Sequence, residues 1–196
     1  MKRAGKARVL ATALVVVIGA ACSEAPEEEA SAGPAAAEAA PSAQPAVTDA
    51  EIAAIVVAAN EIDVRYGELA RERATDPAVK QFAETMITDH TAVNESAVEL
   101  VTRLGVTPEE SDVSRSLEAS AAETRQSLET KSGAEFDQAY IDNEVAYHQT
   151  VLDALDGLLI PSATNAELKQ TLVGVRPAFE AHLEHAKALQ QTVRGS

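Results

Sequence analysis

Three observations predict an all-α fold built around a four-helix bundle. Aromatic residues make up only 3% of the 196-residue chain, which suits close helix packing on Ala, Leu and Val better than a sandwich of strands. Apolar residues recur every three or four positions through four long stretches. No convincing strand pattern, Gly-rich phosphate loop or internal repeat interrupts them.

The chain opens with "MKRAGKARVLATALVVVIGAAC", in which Lys2, Arg3, Lys6 and Arg8 precede an apolar run from Val9 to Ala21. That run is short for a membrane span and reads as an export signal. Cys22, the sole cysteine, follows Gly19, Ala20 and Ala21. The stretch resembles the lipobox of bacterial lipoproteins, although Gly19 stands where Leu is usual. Residues 1–22 are thus expected to be a lipoprotein-type signal with Cys22 as the lipidation site, since a lone cysteine in an exported protein otherwise lacks a partner. A conventional signal peptide cut near Ala21 and an uncleaved anchor are the alternatives. Ser23 in place of Asp resembles lipoproteins forwarded to the outer membrane of a Gram-negative cell, so a periplasmic domain held to the membrane through a lipid is expected. Losing the four basic residues takes the formal charge of −15 to −19, which repels nucleic acid and anionic lipid.

Residues 23–48 hold 10 Ala and 4 Pro among 26, with little to bury, and are expected to form a disordered tether. The folded domain is then residues 49–196. Thr48 and Glu51 have the spacing of a capping box, and Ile52, Ile55, Ala59, Ile62, Tyr66 and Leu69 form the stripe of a first helix running to about Ala74. Asp76 and Pro77 start a second helix, with Val79, Phe82, Met86, Val93, Ala97, Leu100 and Leu104 inward and Gly105 at its end. The short turn between them makes them antiparallel neighbours. A weaker helix, about Asp112 to Lys131, carries the narrow stripe Val113, Leu117, Ala121 and Leu128 and reads as a connector. After Ser132 and Gly133, a third long helix is expected from about Ala134 to Leu159. "IPSATN" makes the turn into a fourth, about Ala166 to Val193, in which Pro177 predicts a kink. Two hairpins separated by about thirty residues fit a ferritin-like four-helix bundle with a crossover connector helix; an up-down-up-down bundle is the alternative.

At 100° per residue, His90 falls on the stripe of the second helix and His182 close to that of the fourth. His148 does the same on the third, beside Glu144 and Asp137, whereas Asp63 sits at the edge of the first helix's apolar face and Glu61 points away. With a rise of about 1.5 Å per residue, crossover topology places Asp63, His90, His148 and His182 at a common level, roughly 17 to 22 Å below the turn at Thr75.

The segments "DVRYGELARERATDPAVKQFAETMITDH", "FDQAYIDNEVAYHQTV" and "RPAFEAHLEHAKAL" resemble the signature segments of domain-of-unknown-function family 4142, exported bacterial proteins with a ferritin-like bundle. The resemblance covers about residues 50–193. Asp63 stands where that family usually has Glu, while His90, Phe136, Asp137, His148, Pro177 and His182 match its pattern. It implies a fold and an export route, and no activity.

Asp63, His90, Glu144, His148 and His182 offer an imidazole and carboxylate set suited to zinc, iron, manganese or copper. The chain has no Glu-x-x-His, Glu144 and His148 being four apart, so a di-iron oxidase or iron store is disfavoured. The leading expectation is a non-enzymatic envelope protein in which the histidines hydrogen-bond Asp63, Asp137 and Glu144 and fix which helix faces which. A metal-binding or metal-dependent redox protein is the second reading, with His185 as a surface residue or a fourth nitrogen ligand. A pH-responsive interaction module is the third. No Gly-x-Ser-x-Gly elbow supports a hydrolase, and nothing in the sequence names a protein partner or an oligomeric state.

Overall fold

The computed structural model describes residues 46–194, so the expected signal, Cys22 and most of the expected tether lie outside the described residues. The helices are α1 (Asp49–Arg73), α2 (Pro77–Leu104), α3 (Asp112–Glu129), α4 (Gly133–Ala154), α5 (Ile160–Ser162) and α6 (Ala166–Val193), with a π-helical turn at Leu155–Leu159 between α4 and α5. Among the described residues there is no strand, and no helix is long and apolar enough to cross a membrane.

Local chemistry sets the helix ends. Thr48 and Glu51 form the expected capping box, and Val47, just before the cap, is buried in the same apolar cluster as Ile52, the two positions of a hydrophobic staple. Val47, expected in the tether, therefore packs against the helical domain. Asp76 caps α2 through the Ala78 N–H, with Pro77 in the first turn, and Gly105 closes it at φ 67°. The left-handed backbone there suits glycine, which has no Cβ to clash. α3 starts on a Ser111–Ser114 box, a cap the apolar stripe alone did not reveal.

The third long helix differs from its expected form. It widens into the π turn at Leu155–Leu159 and continues through Pro161, whose missing N–H is harmless in the first turn of α5. The reversal is thus confined to residues 163–165. α6 runs without a break through Pro177.

The topology is the crossover one. At one end of the bundle, Glu109 N–H donates to the Ala50 carbonyl, and the Asp49 carboxylate accepts from Thr164 and Asn165. At the other, Arg73 donates to the Lys131 carbonyl, and the Asp137 carboxylate accepts from Thr75 and Asp76. α3 therefore runs beside α1 in the same direction, tied midway by Arg65 to Glu118 and by the Tyr66 hydroxyl to the Ala121 carbonyl, and returns the chain so that α4 starts next to the α1–α2 turn. α1 and α2 approach closely at Gly67, where a Cβ would lie 2.9 Å from Ile87 Cγ1 and 3.0 Å from the Ala83 carbonyl oxygen.

The apolar core is divided in two. One cluster gathers Ile62, Tyr66, Phe82, Met86, Phe136, Tyr140 and Ile141 near the Thr75 turn; the other gathers Ile52, Ile55, Leu100, Leu155, Leu172 and Phe179 toward the opposite end. Between them lies a layer of buried polar side chains from all four long helices.

Candidate metal centre

Each long helix sends inward residues into this layer because the helical repeat returns a side chain to the same face every three or four positions. α1 supplies Asn60 and Asp63, α2 His90, α4 Glu144 and His148, and α6 His182. Asp63 and Glu144 are fully buried, His148 is 1% exposed, His90 3% and His182 7%. The three imidazole centroids form a nearly equilateral triangle with sides of 5.3, 5.4 and 5.5 Å. Phe179 stacks on His90 with centroids 5.0 Å apart.

Each imidazole is held through one nitrogen by a hydrogen-bond acceptor. His90 Nδ1 lies 2.8 Å from Asn60 Oδ1, and Asn60 is itself oriented by donating its amide to the Val56 carbonyl at 2.8 Å. His148 Nδ1 lies 3.1 Å from the Glu144 carbonyl oxygen, and His182 Nε2 2.9 Å from Asp89 Oδ2. All three partners are acceptors, so those ring nitrogens carry the protons. In a neutral ring the other nitrogen then presents a lone pair. Those atoms, His90 Nε2, His148 Nε2 and His182 Nδ1, are buried; the last two have no hydrogen-bond partner, and His90 Nε2 faces Asp63 Oδ2.

The carboxylates complete the group. Asp63 Oδ2 is 2.8 Å from His90 Nε2 and 3.5 Å from His148 Nε2, while Glu144 Oε2 is 3.5 Å from His148 Nδ1. Burial alone would raise the Asp63 pKa, but the charges of His90 and His148 outweigh it and hold the group below its usual range. Glu144 moves the other way: burial, then the negative charge of Asp63, push it well above the carboxylate range. Burial pushes His148 down to about 4 against the pull of Asp63, and burial likewise lowers His182 against its bond to Asp89. At neutral pH His148 and His182 are therefore neutral rings.

Ligand atoms of His90, His148 and His182 lie within 4.8 Å of one another, as do those of Asp63, Glu144 and His148. Modest inward rotation would bring the nitrogens to about 3.3 Å, the spacing of tetrahedral donors some 2.0–2.1 Å from an ion. The residue set therefore fits a transition metal by donor type, tautomer and spacing.

All five residues expected from the sequence meet in this layer. Asp63, placed by periodicity at the edge of its helix face, is instead at the centre. Asp137 is not part of the layer: it sits at the end of the bundle, accepting from Thr75 N, Thr75 Oγ1 and Asp76 N at 2.9, 2.6 and 2.9 Å. Periodicity gives the face of a helix and not the level of its neighbours, and Asp137 lies two turns before Glu144. His185 is on the surface, its ring edge against Phe82 with centroids 5.1 Å apart. Sequence reasoning missed Asn60 and Asp89. Asn60, three residues before Asp63, shares its face and carried a readable signal; Asp89 carried none.

The described residues also enclose a mostly apolar groove of about 910 Å³ on the side away from the Thr75 turn. Its walls reach Asn60, Tyr147 and Phe179, and none of the five clustered side chains lines it.

No curated protein matches the chain. Two solved structures are similar in fold. A DUF305 protein from Streptomyces coelicolor, described as secreted, superposes with a TM-score of 0.63 at 14% identity, over 74% of this chain and 93% of its own. CopM in the Cu(II)-bound form gives 0.57 at 14% identity, over 75% and 98%. The family model for a domain of unknown function, DUF4142, matches residues 34–189, and the chain belongs to that family.

Proposed function

We propose that this DUF4142 protein binds a divalent transition-metal ion inside its bundle, with His90, His148 and His182 as nitrogen ligands, Asp63 as a carboxylate ligand and Glu144 beside them. The observation that carries the reading is a set of three buried imidazole nitrogens turned into the layer, His148 Nε2 and His182 Nδ1 with no hydrogen-bond partner and His90 Nε2 facing only Asp63, each on a ring oriented by an acceptor bound to its other nitrogen. Metal-ligating histidines are characteristically oriented through the second nitrogen in this way. A purely structural polar layer would leave His148 Nε2 and His182 Nδ1 unpaired, and an unpaired buried polar atom costs about 1–3 kcal/mol.

The donor set has no thiolate and favours zinc, copper, iron or nickel over the alkaline earths. CopM, similar in fold, was solved with Cu(II) bound, which makes Cu(II) the first ion to test. Binding, storage or relay of an ion accords with the chain better than catalysis, since among the described residues none of the five clustered side chains lines the groove. The leader and Cys22 support a lipid-anchored protein of the cell envelope, as does the likeness to a protein described as secreted.

Elemental analysis and calorimetric titration of the purified, untagged chain test the metal reading. About one equivalent of bound metal is expected, lost in His90→Ala/His148→Ala. Failure of zinc, iron, manganese and copper alike to bind or to raise the melting temperature would return the layer to a structural role.

A further inference from the structure

Ligands that are 0–7% exposed need a path by which a hydrated ion reaches them. The apolar groove is poorly suited, because stripping water from an ion against apolar walls is costly, and Asn60, Tyr147 and Phe179 stand between it and the ligands. The seam between α2 and α6 differs. There Asp89, whose side chain is 47% exposed, lies 2.9 Å from His182 Nε2. His182 is the most exposed of the five clustered residues at 7%. Among the described residues, Asp89 is the only half-exposed acid bonded to a ring of the cluster.

Resting on the metal reading, we infer that the ion enters and leaves through this seam, with Asp89 as the outer docking carboxylate and His182 as the carrier between Asp89 and the buried donors. Asp89 lies where a cation still keeps part of its water, so its charge offsets the first stage of desolvation. The two nitrogens of His182 face opposite ways, Nε2 toward Asp89 and Nδ1 unpaired. Rotation of the ring exchanges a nitrogen on the solvent side for one on the ligand side, without opening the helices. His185 and Phe82 pack edge to face across the same two helices, which leaves Asp89 and His182 as the polar step in the seam.

The test uses the whole chain and Cu(II) alone, with uptake followed by stopped-flow tyrosine fluorescence and release followed on mixing with excess EDTA. Asp89→Asn keeps an acceptor oxygen for His182 and removes the charge; Glu95→Gln makes the same charge change at an exposed site on another face of α2. Asp89→Asn should slow uptake by about tenfold and flatten the dependence of uptake on ionic strength, any loss of affinity being carried by the slower uptake and not by faster release. Glu95→Gln should stay within about twofold of the wild-type rates. Equal uptake rates in the two variants, or weaker binding caused by faster release from Asp89→Asn, would overturn the route while leaving the metal site standing. No Cu(II) bound by the wild type at equilibrium would overturn both.

Discussion

Asp137 closes the turn that Thr75 begins: its carboxylate accepts from the Thr75 backbone N–H at 2.9 Å and from the Thr75 hydroxyl at 2.6 Å, and also from the Asp76 N–H. Asp49 does the same for Thr164 and Asn165 at the other end, at 2.9, 2.6 and 3.0 Å. Each hairpin turn is thus held by the first helix of the other hairpin, which pins the two pairs in register and sets the level at which the five inward polar groups meet.

Asp137→Ala should destabilise the domain by about 2–4 kcal/mol, because three donors, including two backbone groups at a helix start, lose a charged acceptor. Asp137→Asn should cost less. Urea unfolding at pH 7 measures both, and a loss under about 0.5 kcal/mol for the alanine variant would show that water replaces the clasp.

Asn60 fixes His90 by accepting from its Nδ1–H. Asn60→Ala frees the ring to rotate, and metal affinity should fall by about 10- to 100-fold, the usual effect of removing an outer partner of a metal-bound histidine. Calorimetric titration gives the number; an affinity unchanged in Asn60→Ala would mean that packing against Phe179 alone orients the ring.

The metal-free protein should lose stability on mild acidification. The folded state holds the His148 pKa at about 4, whereas the unfolded chain has about 6.5. Above pH 6.5 both states keep the ring neutral. Between 6.5 and 4 the unfolded state takes up the proton first, so stability falls by up to about 3 kcal/mol, and the lowered His182 acts in the same direction. Glu144 works oppositely, its raised pKa removing stability as pH rises through the folded value. Melting followed by circular dichroism from pH 7.5 to 4.5 should show the fall, reduced in His148→Gln. A flat wild-type profile would rule out the buried neutral ring as a determinant of stability.

Gly67→Ala should destabilise despite the better helix propensity of alanine. The new methyl would meet Ile87 Cγ1 at 2.9 Å and the Ala83 carbonyl oxygen at 3.0 Å, and neither is the free end of a flexible chain. A net loss of about 1–3 kcal/mol is expected from overpacking. Chemical denaturation decides, and a gain in stability would mean that α1 and α2 can separate locally at no cost.

The sequence by itself determined the long helices, the caps at Thr48, Asp76 and Gly105 and the inward face on which His90, Glu144, His148 and His182 stand, because helical periodicity and capping are local: they depend on residues three or four apart. It also favoured the crossover order, since two short hairpin turns and a long amphipathic connector leave few other arrangements. Relationships across helices were decided only by the tertiary structure. Asp63 moved from an edge to the centre of the polar layer because α4 covers that flank of α1, and Asp137, on the same helix face as Glu144, went to the turn because face says nothing about which partner lies at its level. The orientation of each imidazole was equally out of reach, since Asn60 and Asp89 act on rings 30 and 93 residues away in the chain. Periodicity chose the residues; the packing of four helices fixed which nitrogen of each ring faces the layer, and on that the chemistry of the site depends.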